Sequence, residues 1–125
     1  MSLEPIKVMV VEDEVLIGLM LAKKLRAYGF DVVEVVTTGE EAVEQAVKLK
    51  PEVILMDVTL AGPMNGLEAA QHIERETEIP IIIFTGYDDG LVREQAADFK
   101  PAAVLTKMEP MATIVAAINR AAGRF

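Results

Sequence analysis

Five short apolar runs punctuate the chain: IKVMVV (6–11), VVEVV (32–36), VILM (53–56), IIIF (81–84) and AAVL (102–105). Each is nearly continuous in hydrophobicity and most are rich in β-branched residues, the pattern of strands covered on both faces in a parallel sheet. Helical patterns fill the intervals. From Glu14 to Tyr28, the apolar residues Leu16, Ile17, Met20, Leu21 and Leu25 recur at helical spacing. Lys23, Lys24 and Arg26 take another face, and Gly29 marks the stop. Thr38 is an N-cap followed by Glu40 and Glu41, and that segment closes on Lys48, Lys50 and Pro51, so its charges suit the helix dipole. Asn65 caps a third stretch ending near Thr77. Asp88 caps a fourth, from Asp89 to Phe99, and Pro110 opens a fifth that runs through Ala122.

Strict alternation of strand and helix predicts an α/β fold, a doubly wound parallel sheet with right-handed crossovers and helices on both faces. Ligands of such sheets sit beyond the carboxyl ends of the strands, where strand order reverses. Polar residues stand at those exits here. The first strand runs into Glu12, Asp13 and Glu14, the third into Asp57, the fourth into Thr85, and the fifth into Thr106 and Lys107. The loop 58–66 after Asp57 must turn back quickly, and Gly62, Pro63 and Gly66 are expected to supply the bend.

Glu12, Asp13 and Asp57 would repel one another and call for a positive partner. Lys107 is one candidate and a divalent cation is another. No cysteine occurs in the chain and no histidine stands at a strand exit, so the donors are hard oxygens and favour Mg²⁺, or Mn²⁺, over Zn²⁺. A carboxylate beside such an ion can act as a nucleophile and form an aspartyl-phosphate. Lys107, the metal and the Thr85 hydroxyl would then meet the phosphoryl oxygens.

Composition narrows the setting. The chain has 125 residues, enough for one core, and is 52% hydrophobic without any run of about 20 apolar residues that could span a membrane. Twenty acidic and twelve basic residues give a net charge of −8, the wrong sign for gripping a phosphate backbone, so nucleic acid is not expected as a direct ligand. Absence of cysteine and of a secretory pattern points to the cytoplasm. Residues 1–5 read as a leader and 6–123 as the folded domain.

The pieces VVEDE (10–14), LMDVTLAGPMNG (55–66), FTG (84–86) and LTK (105–107) come in order, each at a strand exit. In these the chain resembles the receiver domain of two-component response regulators, the flavodoxin-like domain known from bacterial chemotaxis. The resemblance covers nearly the whole chain. It implies a five-stranded sheet of order 2-1-3-4-5 with five helices. It further implies that Asp57 is the phosphoacceptor for a histidine kinase or phosphotransfer protein. By the same likeness Asp13 is the direct Mg²⁺ ligand, Glu12 a second acid holding the metal through water, and the Thr59 carbonyl a further ligand, while Thr85 and Lys107 sense the phosphoryl group. The output face would be the last two helices and the fifth strand, with self-association through those helices as one use of it.

Two positions depart from the family pattern. Val104 stands where an aromatic switch residue is usual, and Met108 where proline usually follows the lysine; Tyr87 offers an aromatic side chain nearby. A phosphatase of the aspartyl-phosphate type is the rival reading, but such enzymes carry a second Asp two residues after the first, and here that residue is Thr59. The expected protein accepts a phosphoryl group, autodephosphorylates slowly and is not a turnover enzyme. It could stand alone or be a module of a longer regulator or of a hybrid histidine kinase. His72 lies mid-helix and receives no role. The seven methionines, Met9, Met20 and Met56 among them, are expected to fill the core or its margins.

Overall fold

The computed structural model describes residues 4–60, 62–86 and 100–124. Its strands are β1 (Lys7–Val11), β2 (Asp31–Val36), β3 (Val53–Asp57), β4 (Ile81–Thr85) and β5 (Ala103–Thr106). All neighbours pair in parallel, in the order β2-β1-β3-β4-β5. The helices among the described residues are α1 (Val15–Ala27), α2 (Gly39–Leu49), α3 (Gly66–Glu76) and α4 (Met111–Ala121), the last being the fifth predicted from the sequence. The expected helix from Asp89 to Phe99, its cap Asp88 and Tyr87 lie outside the described residues.

Alternation along the central strands feeds two cores. Met9 and Val11, Ile54 and Met56, and Ile81 and Ile83 pack with α2 and α3. Val8 and Val10, Val53 and Leu55, and Ile82 and Phe84 pack with α1 and α4. Every residue of β3 and β4 is buried, as continuous apolar runs require.

Local chemistry sets the helix starts. The Thr38 side chain accepts a hydrogen bond from the Glu41 amide (3.1 Å). Asn65 and Glu68 form a reciprocal capping box, with the Glu68 amide donating to Asn65 Oδ1 (2.9 Å) and the Asn65 amide to Glu68 Oε1 (3.1 Å). Pro110 occupies the cap position of α4.

The structure corrects the reading of α1. Its buried residues are Gly18, Leu21, Ala22 and Leu25, whereas Leu16, Ile17 and Met20, expected in the core, are exposed. Of the methionines, Met9 and Met56 are core, but Met20 and Met108 face solvent. The reason is steric: a Cβ on Gly18 would lie 2.9 Å from Val35 Cγ1 and 3.5 Å from Glu12 Cβ, so the glycine marks where α1 comes closest to the sheet. That contact turns Leu16 and Met20 away.

Candidate functional site

Strand alternation brings the site together. The parity that sends Val8 and Val10, Val53 and Leu55, and Ala103 and Leu105 toward α1 and α4 carries Glu12, Asp57 and Lys107 to that same side. Three turns of chain, distant in sequence, therefore meet at the carboxyl edge of β1, β3 and β5. Lys107 Nζ donates to Glu12 Oε2 at 2.7 Å and to Asp57 Oδ2 at 3.1 Å. Glu12 and Asp57 are buried, while Lys107 keeps partial access to solvent.

Asp13 completes the group. One carboxylate oxygen from each of Glu12, Asp13 and Asp57 lies within 4.8 Å of the others. Three carboxylates against one ammonium leave a formal excess of two negative charges, the charge of one Mg²⁺. The all-oxygen donor set is the kind a hard divalent ion takes, so these residues fit such an ion.

The electrostatics follow from burial. Burial raises the Glu12 carboxyl above its ordinary value, the hydrogen bond from Lys107 offsets part of this, and the charge of Asp57 adds to the rise. For Lys107, burial works downward, but the hydrogen bonds to Glu12 and Asp57 outweigh it, and the net shift is upward.

The backbone holds both buried acids. The Thr59 amide donates to Asp57 Oδ1 (3.1 Å) and the Glu14 amide to Glu12 Oε1 (3.4 Å). Thr59 itself is exposed. Thr85 ends β4, is buried, and its carbonyl accepts from the Lys107 amide at 2.6 Å, which ties the β4 and β5 exits together. Val104 sits half-buried in β5 opposite Ile83 and packs into the core on the α2 and α3 side. Among the described residues no peptide bond is cis, including the one from Lys107 to Met108.

Glu12 and Asp13 precede the cap residue Glu14, and α1 has no acid in its first turn. One expectation about this edge changes, the place of Gly66 in the bend. The positive φ belongs to Gly62 (94°), whereas Gly66 is the first residue of α3, where a Cβ would fall 1.9 Å from the Asp57 carbonyl oxygen. Its amide also donates to the Val58 carbonyl (2.9 Å). Gly66 is thus a close-packing residue directly behind Asp57, and so is Gly18 behind Glu12. Sequence reading missed both roles, although a glycine inside the run VLIGLML, costing about 1 kcal/mol relative to alanine in a helix, was a signal for Gly18.

Comparison with known proteins agrees with this geometry. The family described as response regulator receiver domain matches residues 8–119. The chain is 35% identical over 121 residues to the transcriptional regulatory protein PdtaR of Mycobacterium tuberculosis, covering 97% of this chain and 58% of that protein. It is 32% identical over 109 residues to a protein-glutamate methylesterase/protein-glutamine glutaminase of Archaeoglobus fulgidus, covering 87% of this chain and 31% of that one. The chain therefore spans little more than half of the first relative and about a third of the second. Among solved structures it resembles the signal receiver domain of a modulated diguanylate cyclase from Desulfovibrio desulfuricans, with a TM-score of 0.88 and 32% identity over 96% of this chain and 95% of that one. The response regulator domain of Thermotoga maritima CheB is equally similar in fold, with a TM-score of 0.88 and 25% identity over 98% and 99% of the two chains.

Proposed function

Because the chain belongs to the response regulator receiver domain family of two-component signalling, we propose that Asp57 is its phosphoacceptor and that Glu12, Asp13, Thr85 and Lys107 serve that carboxylate. The observation that carries this reading is the meeting of Glu12, Asp13 and Asp57 within 4.8 Å, with Lys107 bonded to two of them.

In the proposed step, an Asp57 carboxylate oxygen attacks the phosphorus of a phosphohistidine. A new P–O bond forms as the P–N bond breaks, and the electron pair leaves with the imidazole nitrogen. Mg²⁺ or Mn²⁺ held by Glu12, Asp13, Asp57 and the Thr59 carbonyl would supply charge neutralisation at the phosphoryl oxygens. Lys107 turns from the two carboxylates toward one phosphoryl oxygen, and the Thr85 hydroxyl donates to another. The Thr59 amide keeps the Asp57 carboxylate oriented.

The product adds about 1.5 to 2 negative charges behind the β4 and β5 exits. Since the Lys107 amide is bonded to the Thr85 carbonyl, and α4 begins four residues after Lys107, movement of Lys107 is felt at the β4 exit and, through the chain, at the start of α4. Moving a two-state switch from 1:99 to 99:1 takes about 5.5 kcal/mol of preference for one state. In this reading the output face is β5, α4 and the segment before β5, with self-association through the last two predicted helices as one use of it. Val104 and Tyr87 are the candidate reporters of the switch. The domain extends over residues 6–123, the phosphodonor is a histidine kinase or phosphotransfer protein, and the setting is the cytoplasm. Among the described residues no helix is long and apolar enough to cross a membrane.

Transfer stops at the acyl phosphate, so the domain is a switch and not a turnover enzyme; Thr59, where a phosphatase would carry its general acid, supports this. The test is incubation with labelled acetyl phosphate. Stoichiometric label that requires Mg²⁺ and disappears in Asp57→Asn is expected, together with no sustained hydrolysis of small phosphomonoesters. Label that survives Asp57→Asn contradicts the assignment, and many turnovers of a phosphomonoester revive the phosphatase.

A further inference from the structure

The run LMDVTLAGPMNG ends on Asn65 and Gly66, and the phosphoryl chemistry makes no use of the asparagine amide. An asparagine followed by glycine is the sequence in which the backbone most readily turns on its own side chain, because glycine has no Cβ to shield its nitrogen. The Gly66 amide nitrogen gives up its proton to water or hydroxide and attacks Asn65 Cγ. A new N–C bond closes a succinimide ring, the Cγ–Nδ2 bond breaks, and the side-chain nitrogen leaves as ammonia. Water then opens the ring at either carbonyl. One opening gives aspartate; the other, which is favoured, gives isoaspartate, whose main chain runs through the former side chain and is one carbon longer. Water is the only co-reactant.

The fold holds both reacting groups apart. Asn65 is exposed, so water reaches it, but its Oδ1 accepts from the Glu68 amide (2.9 Å) and the Gly66 amide donates to the Val58 carbonyl (2.9 Å). A planar ring needs the Gly66 nitrogen nearly eclipsed with the Asn65 Cβ, and the Asn65 ψ of 175° keeps the two staggered. Turning ψ toward the eclipsed form swings Gly66, which is already so close to β3 that a Cβ on it would lie 1.9 Å from the Asp57 carbonyl oxygen. Ring closure therefore requires the first turn of α3 to lift away from Asp57. We propose that Asn65 is a deamidation site gated by the packing of Gly66 on Asp57, and, resting on the phosphoacceptor reading above, that the isoaspartyl product no longer takes up phosphate. The extra main-chain carbon falls immediately before Gly66, where the contact with Asp57 leaves no room for it. The aspartyl product keeps a capping oxygen and an ordinary backbone, so it retains uptake.

Ageing the full chain in mildly alkaline buffer, folded and in urea, and mapping its peptides by mass tests this. Isoaspartate is expected at position 65 in both, forming at least about tenfold more slowly in the folded chain, because reaction there waits on local opening. The chain's other asparagine, Asn119, precedes Arg120 inside α4 and serves as the unreactive reference in the same map. Glu68→Ala, which removes the reciprocal half of the capping box, should speed the folded reaction about threefold. Aged wild type should lose Mg²⁺-dependent label from acetyl phosphate in proportion to its isoaspartate. Asn65→Ser keeps a capping oxygen but has no amide to lose, so it should hold its label through the same ageing. Equal rates in the folded and unfolded chains overturn the gating, and an unfolded chain without isoaspartate at position 65 overturns the site itself. Isoaspartyl chains that label as well as fresh ones overturn the effect on uptake. A fresh chain that takes no label sinks the phosphoacceptor reading instead, and the peptide map still decides where and how fast Asn65 reacts.

Discussion

Lys107 is the residue on which the site's charge balance turns. It is the cation bonded to both buried carboxylates, Glu12 and Asp57, and removing one member of a buried ion pair costs far more than the pair is worth, because a charge is left uncompensated. Lys107→Met is therefore expected to lose about 1–3 kcal/mol of stability in EDTA at about pH 8, read from urea midpoints; the lower range reflects the partial exposure of the lysine. The pH dependence has a definite sign. The folded pKa of Lys107 lies above its ordinary 10.5, so its contribution is complete below that pH and is lost as pH rises through the folded value. The gap between wild type and Lys107→Met should stay constant up to pH 10.5 and narrow above it, and a gap that widens would contradict the assignment. Glu12 runs the other way. Its folded pKa is raised above 4.5, so its ionisation costs stability as pH climbs from 4.5 through the folded value.

At the scale of elements, the contact between α3 and β3 is the most exacting. Gly66→Ala would put a methyl carbon against the Asp57 carbonyl, so the first turn of α3 or the end of β3 must move. A loss of about 1–3 kcal/mol is expected, together with slower phosphoryl uptake. Asn65→Ala, one residue earlier, removes the capping box and should cost about 1 kcal/mol while leaving uptake unchanged. Parallel measurement of urea midpoints and labelling rates separates the two, and equal slowing in both variants would refute the packing role of Gly66.

These elements also mark what the sequence could show. Strands, caps and the convergence of Glu12, Asp57 and Lys107 were legible because they depend on local signals: continuous apolar runs, Thr38 and Asn65 at helix starts, and alternation carried one step past each strand. The orientation of α1 was not, since VLIGLML is apolar on every face and only contact with Val35 decides which side is buried. Nor was the role of Gly66, because turn chemistry and close packing both ask for glycine and only the distance to Asp57 distinguishes them.

On the scale of the whole molecule, a chain of net charge −8 concentrates three carboxylates at one rim of its sheet and accepts the cost of holding them together. A ligand that relieves this repulsion stabilises the fold by mass action. Mg²⁺ at one hundred times its dissociation constant should add about 2.7 kcal/mol to the unfolding free energy. Asp13→Asn should be more stable than wild type in EDTA and gain much less from Mg²⁺, as thermal denaturation would report. Equal gains in the two proteins would remove Asp13 from the metal site.

Everything in the functional account converges on which oxygen receives the phosphoryl group. Treating the phosphorylated chain with borohydride reduces an aspartyl phosphate to homoserine, and peptide mass mapping then locates the modified residue. The account predicts homoserine at position 57, formed only when Mg²⁺ was present during phosphorylation. Homoserine at position 13, a reduced glutamyl phosphate at position 12, or no reduced residue in a chain that has taken up phosphate would contradict it.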